Sequence, residues 1–155
     1  MNEEPIGFRF TQIHIVSKNM ATIPFTEPQS SYNFDIKVAF KVNADHALVM
    51  PHVYINIQKN DKSETLASFE VAYVFEIIDF ENVIKLNENN LYDIPKQLED
   101  TIKPVCISTT RGIIFSELRG TYLHNAILPV VYMDSFDVIA NLEEHSTEEE
   151  KDGVL

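Results

Sequence analysis

From Tyr32 to Asn43 the side chains alternate without error, Tyr32, Phe34, Ile36, Val38, Phe40 and Val42 on one side and Asn33, Asp35, Lys37, Ala39, Lys41 and Asn43 on the other. Successive side chains of a strand point to opposite faces, so this period specifies a long β-strand with one wet face. Val53, Ile55 and Ile57 alternate in the same way with Tyr54, Asn56 and Gln58. After the polar turn Asn60-Asp61-Lys62-Ser63, Phe69, Val71, Tyr73, Phe75 and Ile77 repeat the pattern. These segments read as an antiparallel meander. Phe8 to Val16 reads as a further strand, but its apolar positions switch parity between Phe10 and Ile13, as a β-bulge requires. Pro24, Pro28, Gln29 and Ser30 mark a loop between this strand and the meander.

Beyond Phe80 the period changes. Leu98, Ile102, Val105, Cys106 and Thr109 fall at helical spacing and continue toward Ile113. Pro104 lacks a backbone donor, so a kink or a break with a fresh start is expected there, and Gly120 is the expected stop. Ile107, Ile114 and Leu118 form a second apolar stripe. A helix lying on a sheet needs only one, so these residues are the expected oligomer interface, the alternative being a cover by a loop of the same chain. Ser135 or Asp134 is placed to cap a short terminal helix carrying Phe136, Ile139 and Leu142. One domain is expected over residues 1–142, followed by an acidic flexible tail over 143–155.

Charge narrows the partners. With 24 acidic against 12 basic side chains the chain carries −12, of which the residues after Leu142 hold −5, so the body is acidic too. Such a surface repels phosphate backbones, and no nucleic-acid partner is expected. The start, Met1-Asn2-Glu3-Glu4-Pro5, has neither the basic nor the apolar segment of a signal peptide, and the longest apolar run, Ala126 to Met133, is broken by Pro129. A cytoplasmic protein without membrane insertion is expected, which suits a single cysteine, Cys106.

No chemistry-bearing motif stands out, so no catalytic residue, metal or cofactor is expected. Cys106 sits among Pro104, Val105 and Ile107, and a buried thiol in apolar surroundings carries little thiolate. Asp45, His46 and His52 share a neighbourhood but match no closed zinc spacing. His14, His124 and His145 have no local serine and carboxylate, and the four glycines form no phosphate loop.

The stretch Arg119-Gly120-Thr121-Tyr122-Leu123-His124-Asn125-Ala126-Ile127-Leu128-Pro129-Val130 resembles the segment that follows the long helix in the SecB family of export chaperones. There an Arg-Gly-Thr-aromatic turn precedes a Leu-rich run and a Pro-Val pair. The order of strands, long helix, short helix and acidic tail is similar as well. Ser108-Thr109-Thr110-Arg111-Gly112 and Val131-Tyr132 depart from the family's pattern. The resemblance implies an α+β fold, a four-stranded antiparallel sheet with a long helix and a short C-terminal helix packed on one side. It also implies a homotetramer built as a dimer of dimers, and ATP-independent capture of non-native polypeptides for export, with the SecA motor as a further partner. The wet strand positions mix Asp35, Glu70 and Glu76 with Lys37 and Lys41, so engagement of SecA is implied less strongly than client binding. Phe10, Ile23, Phe25 and Tyr122, apolar residues near the first strand, the loop and the helix end, are the candidate client-binding groove. The alternatives are a SecB-like chaperone dedicated to one client such as an antitoxin, and a small ligand-binding domain or enzyme on a similar scaffold.

Overall fold

The computed structural model describes residues 4–22 and 31–130, together with the backbone of 138–140. Four long strands, β1 (Phe8–Met20), β2 (Tyr32–Asn43), β3 (Leu48–Lys59) and β4 (Thr65–Ile77), pair antiparallel in the order β1-β4-β3-β2. The alternation reads directly onto burial: Val49, Val53, Ile55 and Ile57 on β3, and Phe69, Val71, Tyr73, Phe75 and Ile77 on β4, are all buried on one face. Each such side chain contributes roughly 1.5–3 kcal/mol by leaving water. The turn between β3 and β4 is held by Asp61, whose carboxylate accepts from the Ser63 amide at 2.9 Å while Lys62 takes positive φ.

β1 carries the expected bulge. Its register against β4 shifts between Phe10 and Gln12, and again between Ile15 and Ser17. The shifts keep Phe10 opposite Phe75, Ile13 opposite Tyr73 and Ile15 opposite Val71, so all three share the inner face. Pro51 lies inside β3, opposite Phe40 of β2. Pairing of β3 with β4 resumes in the same register at His52 after Val49, so the missing donor opens the ladder locally without a bulge.

After β4 come α1 (Phe80–Val83), a small hairpin of β5 (Lys85–Leu86) with β6 (Tyr92–Asp93), and the long helix α2 (Lys96–Glu117). Of the kink or break expected at Pro104, the break does not occur. α2 runs through it uninterrupted, because Leu98, Ile102, Cys106, Thr110 and Ile114 dock in series and their burial outweighs one lost hydrogen bond. Two contacts unforeseen from the sequence join α2 to the sheet. Lys103, nearly buried, reaches Glu99 at 3.1 Å and lies 5.7 Å from the centre of the Phe40 ring. Thr110 donates its hydroxyl to the Cys106 carbonyl, so the 2.6 Å contact with Tyr73 is made by the tyrosine donating to Thr110 Oγ1. Tyr73→Phe is expected to cost about 1 kcal/mol in urea titration, the net worth of one hydrogen bond between neutral groups.

The segment that carries the SecB resemblance has a structural logic. Gly120 takes φ +76, a conformation that side-chain-bearing residues rarely adopt. Thr121 Oγ1 donates to the Leu118 carbonyl at 2.7 Å and accepts from the Leu123 amide at 3.1 Å, fixing the turn. Leu123, Ala126 and Leu128 then enter the core, and Arg111 holds the returning chain by donating to the carbonyls of Leu128 at 3.0 Å and Pro129 at 3.2 Å.

The expected terminal helix is corrected where it can be followed. Val138–Ala140 forms strand β7, parallel to β2 alongside Val38–Phe40, rather than a helical turn. Adjacent Val138 and Ile139 favour extended backbone. The rest of that expected helix and the acidic tail lie outside the described residues.

Candidate functional site

α2 rests on β3 and β4, and β1 lies beyond it as an edge strand whose described partner is β4 alone. The inner face of β1 therefore extends past the helix. Phe10, Ile13 and Ile15 are 40%, 42% and 46% exposed although they share the face of fully buried Tyr73, Phe75 and Val71. Phe10 stacks on Phe75 at 4.8 Å, so the bare row continues the core rather than standing apart from it.

The row is bounded on both ends. Phe8 packs edge-on against Phe75 at 5.8 Å, and at the other end Lys18 bridges to Glu117 at the end of α2. Ile113 and Thr109 lie one and two turns before Glu117 on the same helix face, so they form the helical wall of a trough floored by β1. From Phe10 to Lys18 the floor is roughly 25 Å long, enough for about eight residues of extended chain. Along its outer edge β1 also offers backbone N–H and C=O groups without a described strand partner. Such a trough, apolar and lacking convergent polar groups, suits non-directional capture of an apolar, extended segment.

The four groove candidates do not gather in one place. Phe10 floors the trough. Tyr122 lies near the opposite end of the β1–β4 ladder, 41% exposed, its hydroxyl donating to the Ala21 carbonyl at 2.7 Å. Its phenol is pushed up chiefly by partial burial and then by the Glu64 carboxylate. Ile23 and Phe25 lie outside the described residues. Ile13 and Ile15 were not singled out from the sequence; the parity switch at the bulge was their one signal.

The interface expectation is corrected. Ile107, Ile114 and Leu118 are buried in this chain's own core together with Leu123, Ala126 and Leu128, so the second stripe is covered by the returning segment of the same chain.

The titratable groups considered above are engaged elsewhere. His52 lies on the outer face of the sheet, 2.9 Å from Glu70, whereas Asp45 and His46 occupy the exposed turn after β2. Among the described residues no three His, Cys, Asp or Glu side chains converge to hold a metal, and no helix is long and apolar enough to cross a membrane. Burial pushes the Cys106 thiol up to about 12, and burial likewise raises the Tyr73 phenol to about 12. The unfolded chain releases these protons near 9.0 and 10.0, the folded chain only near 12. Stability is accordingly complete below the unfolded values and is lost as pH rises from about 9 toward 12. A melting-temperature series across that range is expected to fall less steeply in Cys106→Ala combined with Tyr73→Phe than in the wild type.

An open antiparallel sheet, one long helix on one face and an apolar trough left beside the edge strand define an α+β architecture. Among solved structures a similar fold is that of Rv1957, the SecB-like chaperone of Mycobacterium tuberculosis, determined in complex with a ChAD peptide from the HigA1 antitoxin. The two folds agree with a TM-score of 0.57 at 14% identity, over 81% of this chain and 90% of that one. No family model and no curated protein matches the sequence.

Proposed function

We propose that this protein is a chaperone that holds unfolded or non-native polypeptide without nucleotide, the client lying along the β1 trough. The observation that carries this reading is the bare inner-face row of Phe10, Ile13 and Ile15, continuous with the core yet left uncovered beside α2. A solitary exposed apolar residue is ordinary, but three in register on an edge strand favour a partner. The fold it shares with a SecB-like chaperone solved with an antitoxin peptide supports the same reading.

Within it, residues 1–142 are the client-binding body, and 143–155 are an acidic tail that client capture does not need. Tyr122 extends the client's path past the Lys18–Glu117 bridge, and Ile23 and Phe25 keep the client-binding role expected of them. The body works in the cytoplasm as a homotetramer built from dimers. Export with delivery to SecA is the broader role. A second reading, service to a single client such as an antitoxin, is favoured by the peptide bound to the mycobacterial chaperone.

Suppression of aggregation separates these roles. A general chaperone at near-stoichiometric amounts keeps several unrelated denatured proteins soluble without ATP. A dedicated one protects its own client and leaves the others to aggregate. Failure to protect any denatured protein, with no polypeptide retained from native lysate, would sink both.

A further inference from the structure

We infer that the edge of β2 facing away from β3 is a second docking track for client, held closed by β7, and that an extended segment patterned like an amphipathic β-strand enters by taking the place of β7. This rests on the chaperone reading and adds to it a site at the opposite edge of the sheet from the trough, for segments of a different pattern. β2 pairs with β3 along its whole length, Tyr32 to Asn43, but on its other side β7 covers only Val38–Phe40. From Tyr32 to Lys37 the backbone groups of β2 that point away from β3 have no described strand partner.

An incoming strand continues both faces of the sheet. Its inner side chains lie beside Phe34 and Ile36, half-buried at the margin of the core, and beside buried Val38 and Phe40, while its outer ones lie beside Asp35 and Lys37. Alternating apolar and polar residues satisfy the two faces together, whereas an unbroken apolar run leaves apolar groups on the wet one. β7 is weakly equipped to keep the place. It is three residues long, has β2 as its one described strand neighbour, and pairs in parallel, a geometry slightly less stable per residue than the antiparallel pairing open to a client. An antiparallel segment along Tyr32–Phe40 replaces the hydrogen bonds of β7 and adds those of the uncovered stretch. Being tethered, β7 closes the edge again when the client leaves, so it lowers the affinity of the track without abolishing it.

Full-length variants separate the two states of the edge. The probe is a peptide as long as Tyr32–Phe40 that alternates Val with Thr, and the control is a peptide of the same composition with its Val residues in one block. Val138→Pro with Ile139→Pro removes a donor that faces β2, since successive amides of a strand point to opposite sides, and should raise the affinity of the alternating peptide at least several-fold in calorimetric titration. Ala39→Cys with Ile139→Cys, opposite each other in the ladder, should lock β7 in place on mild oxidation and lower that affinity at least several-fold, with reduction restoring it. Cys106 is buried and stays out of the exchange. The blocked peptide, held in the trough, should be indifferent to both changes and lose affinity in Ile13→Ser with Ile15→Ser. In the wild type, saturation with the alternating peptide should speed amide exchange in β7 while Val38–Phe40 stay protected. Equal affinity of the alternating peptide for the folded proline variant and the cross-linked one, or unaltered exchange of β7 at saturation, would overturn this inference alone. Binding of neither peptide to any form would sink the chaperone reading along with it.

Discussion

Replacing Ile13 and Ile15 together with serine is expected to weaken capture of an unfolded client about 100-fold or more while the protein stays folded. Both side chains lie on the inner face of β1 opposite buried Tyr73 and Val71, yet nearly half of each remains exposed. An apolar anchor desolvated on binding is often worth about 2 kcal/mol, and two such losses correspond to roughly three orders of magnitude in Kd if they add. The fold loses less, since the exposed parts contribute nothing to the monomer's core and serine keeps the backbone donors that pair with β4. Phe10 is the poorer test. Its ring stacks on Phe75, so Phe10→Ser mixes lost binding with lost core packing. Calorimetric titration with a reduced, permanently unfolded client measures the first quantity, and urea titration of the free protein measures the second.

Ile114→Asp is expected to unfold the chain rather than to dissociate an oligomer. Ile114 is fully buried, packed in the same core as Leu118, Leu123 and Leu128. The substitution removes an apolar side chain worth roughly 1.5–3 kcal/mol and places a carboxylate where no cation awaits it. The combined cost, ~5 kcal/mol or more, is comparable to the entire stability of many domains. Loss of the cooperative melt by circular dichroism is the expected outcome. A folded, soluble variant of reduced mass would return Ile114 to a subunit interface.

How far the sequence could be read depended on whether one period governed a segment. β2 is bounded from Tyr32 to Asn43 as its alternation implies, because one face meets the core and the other water along its whole length. β1 was harder. Its bulge was visible in the parity switch, but its continuation to Met20 was not, since Ser17, Lys18 and Asn19 interrupt the apolar pattern. Lys18 lies on the inner face only because Glu117, far away in sequence, waits there to pair with it. Pro51 masked the beginning of β3, where proline argues against a central strand and tertiary pairing overrides it.

The site was less legible than the fold. Ile13 and Ile15 look like core residues in any strand; only the lateral position of α2, resting on β3 and β4, leaves them bare. Conversely, Ile107, Ile114 and Leu118 looked surplus because the chain that covers them, Leu123 to Leu128, returns after a glycine turn whose direction is not written locally. Two apolar faces on one helix signal two covers, and the sequence does not say whether the second belongs to the same chain. Lys103, with its stem buried and its ammonium held by Glu99, reads in sequence as an ordinary surface charge.

The placement of the client is tested most directly by hydrogen exchange of the backbone amides, free and with a reduced, unfolded polypeptide bound. Occupancy of the trough and the open edge beside it should slow exchange along Phe8–Met20, with the strongest effect between Phe10 and Lys18. In Ile13→Ser with Ile15→Ser the slowing should vanish at the same client concentration. Protection confined to the outer face of the sheet or to the exposed face of α2, with β1 exchanging as in the free protein, would contradict the assignment of client binding to this strand.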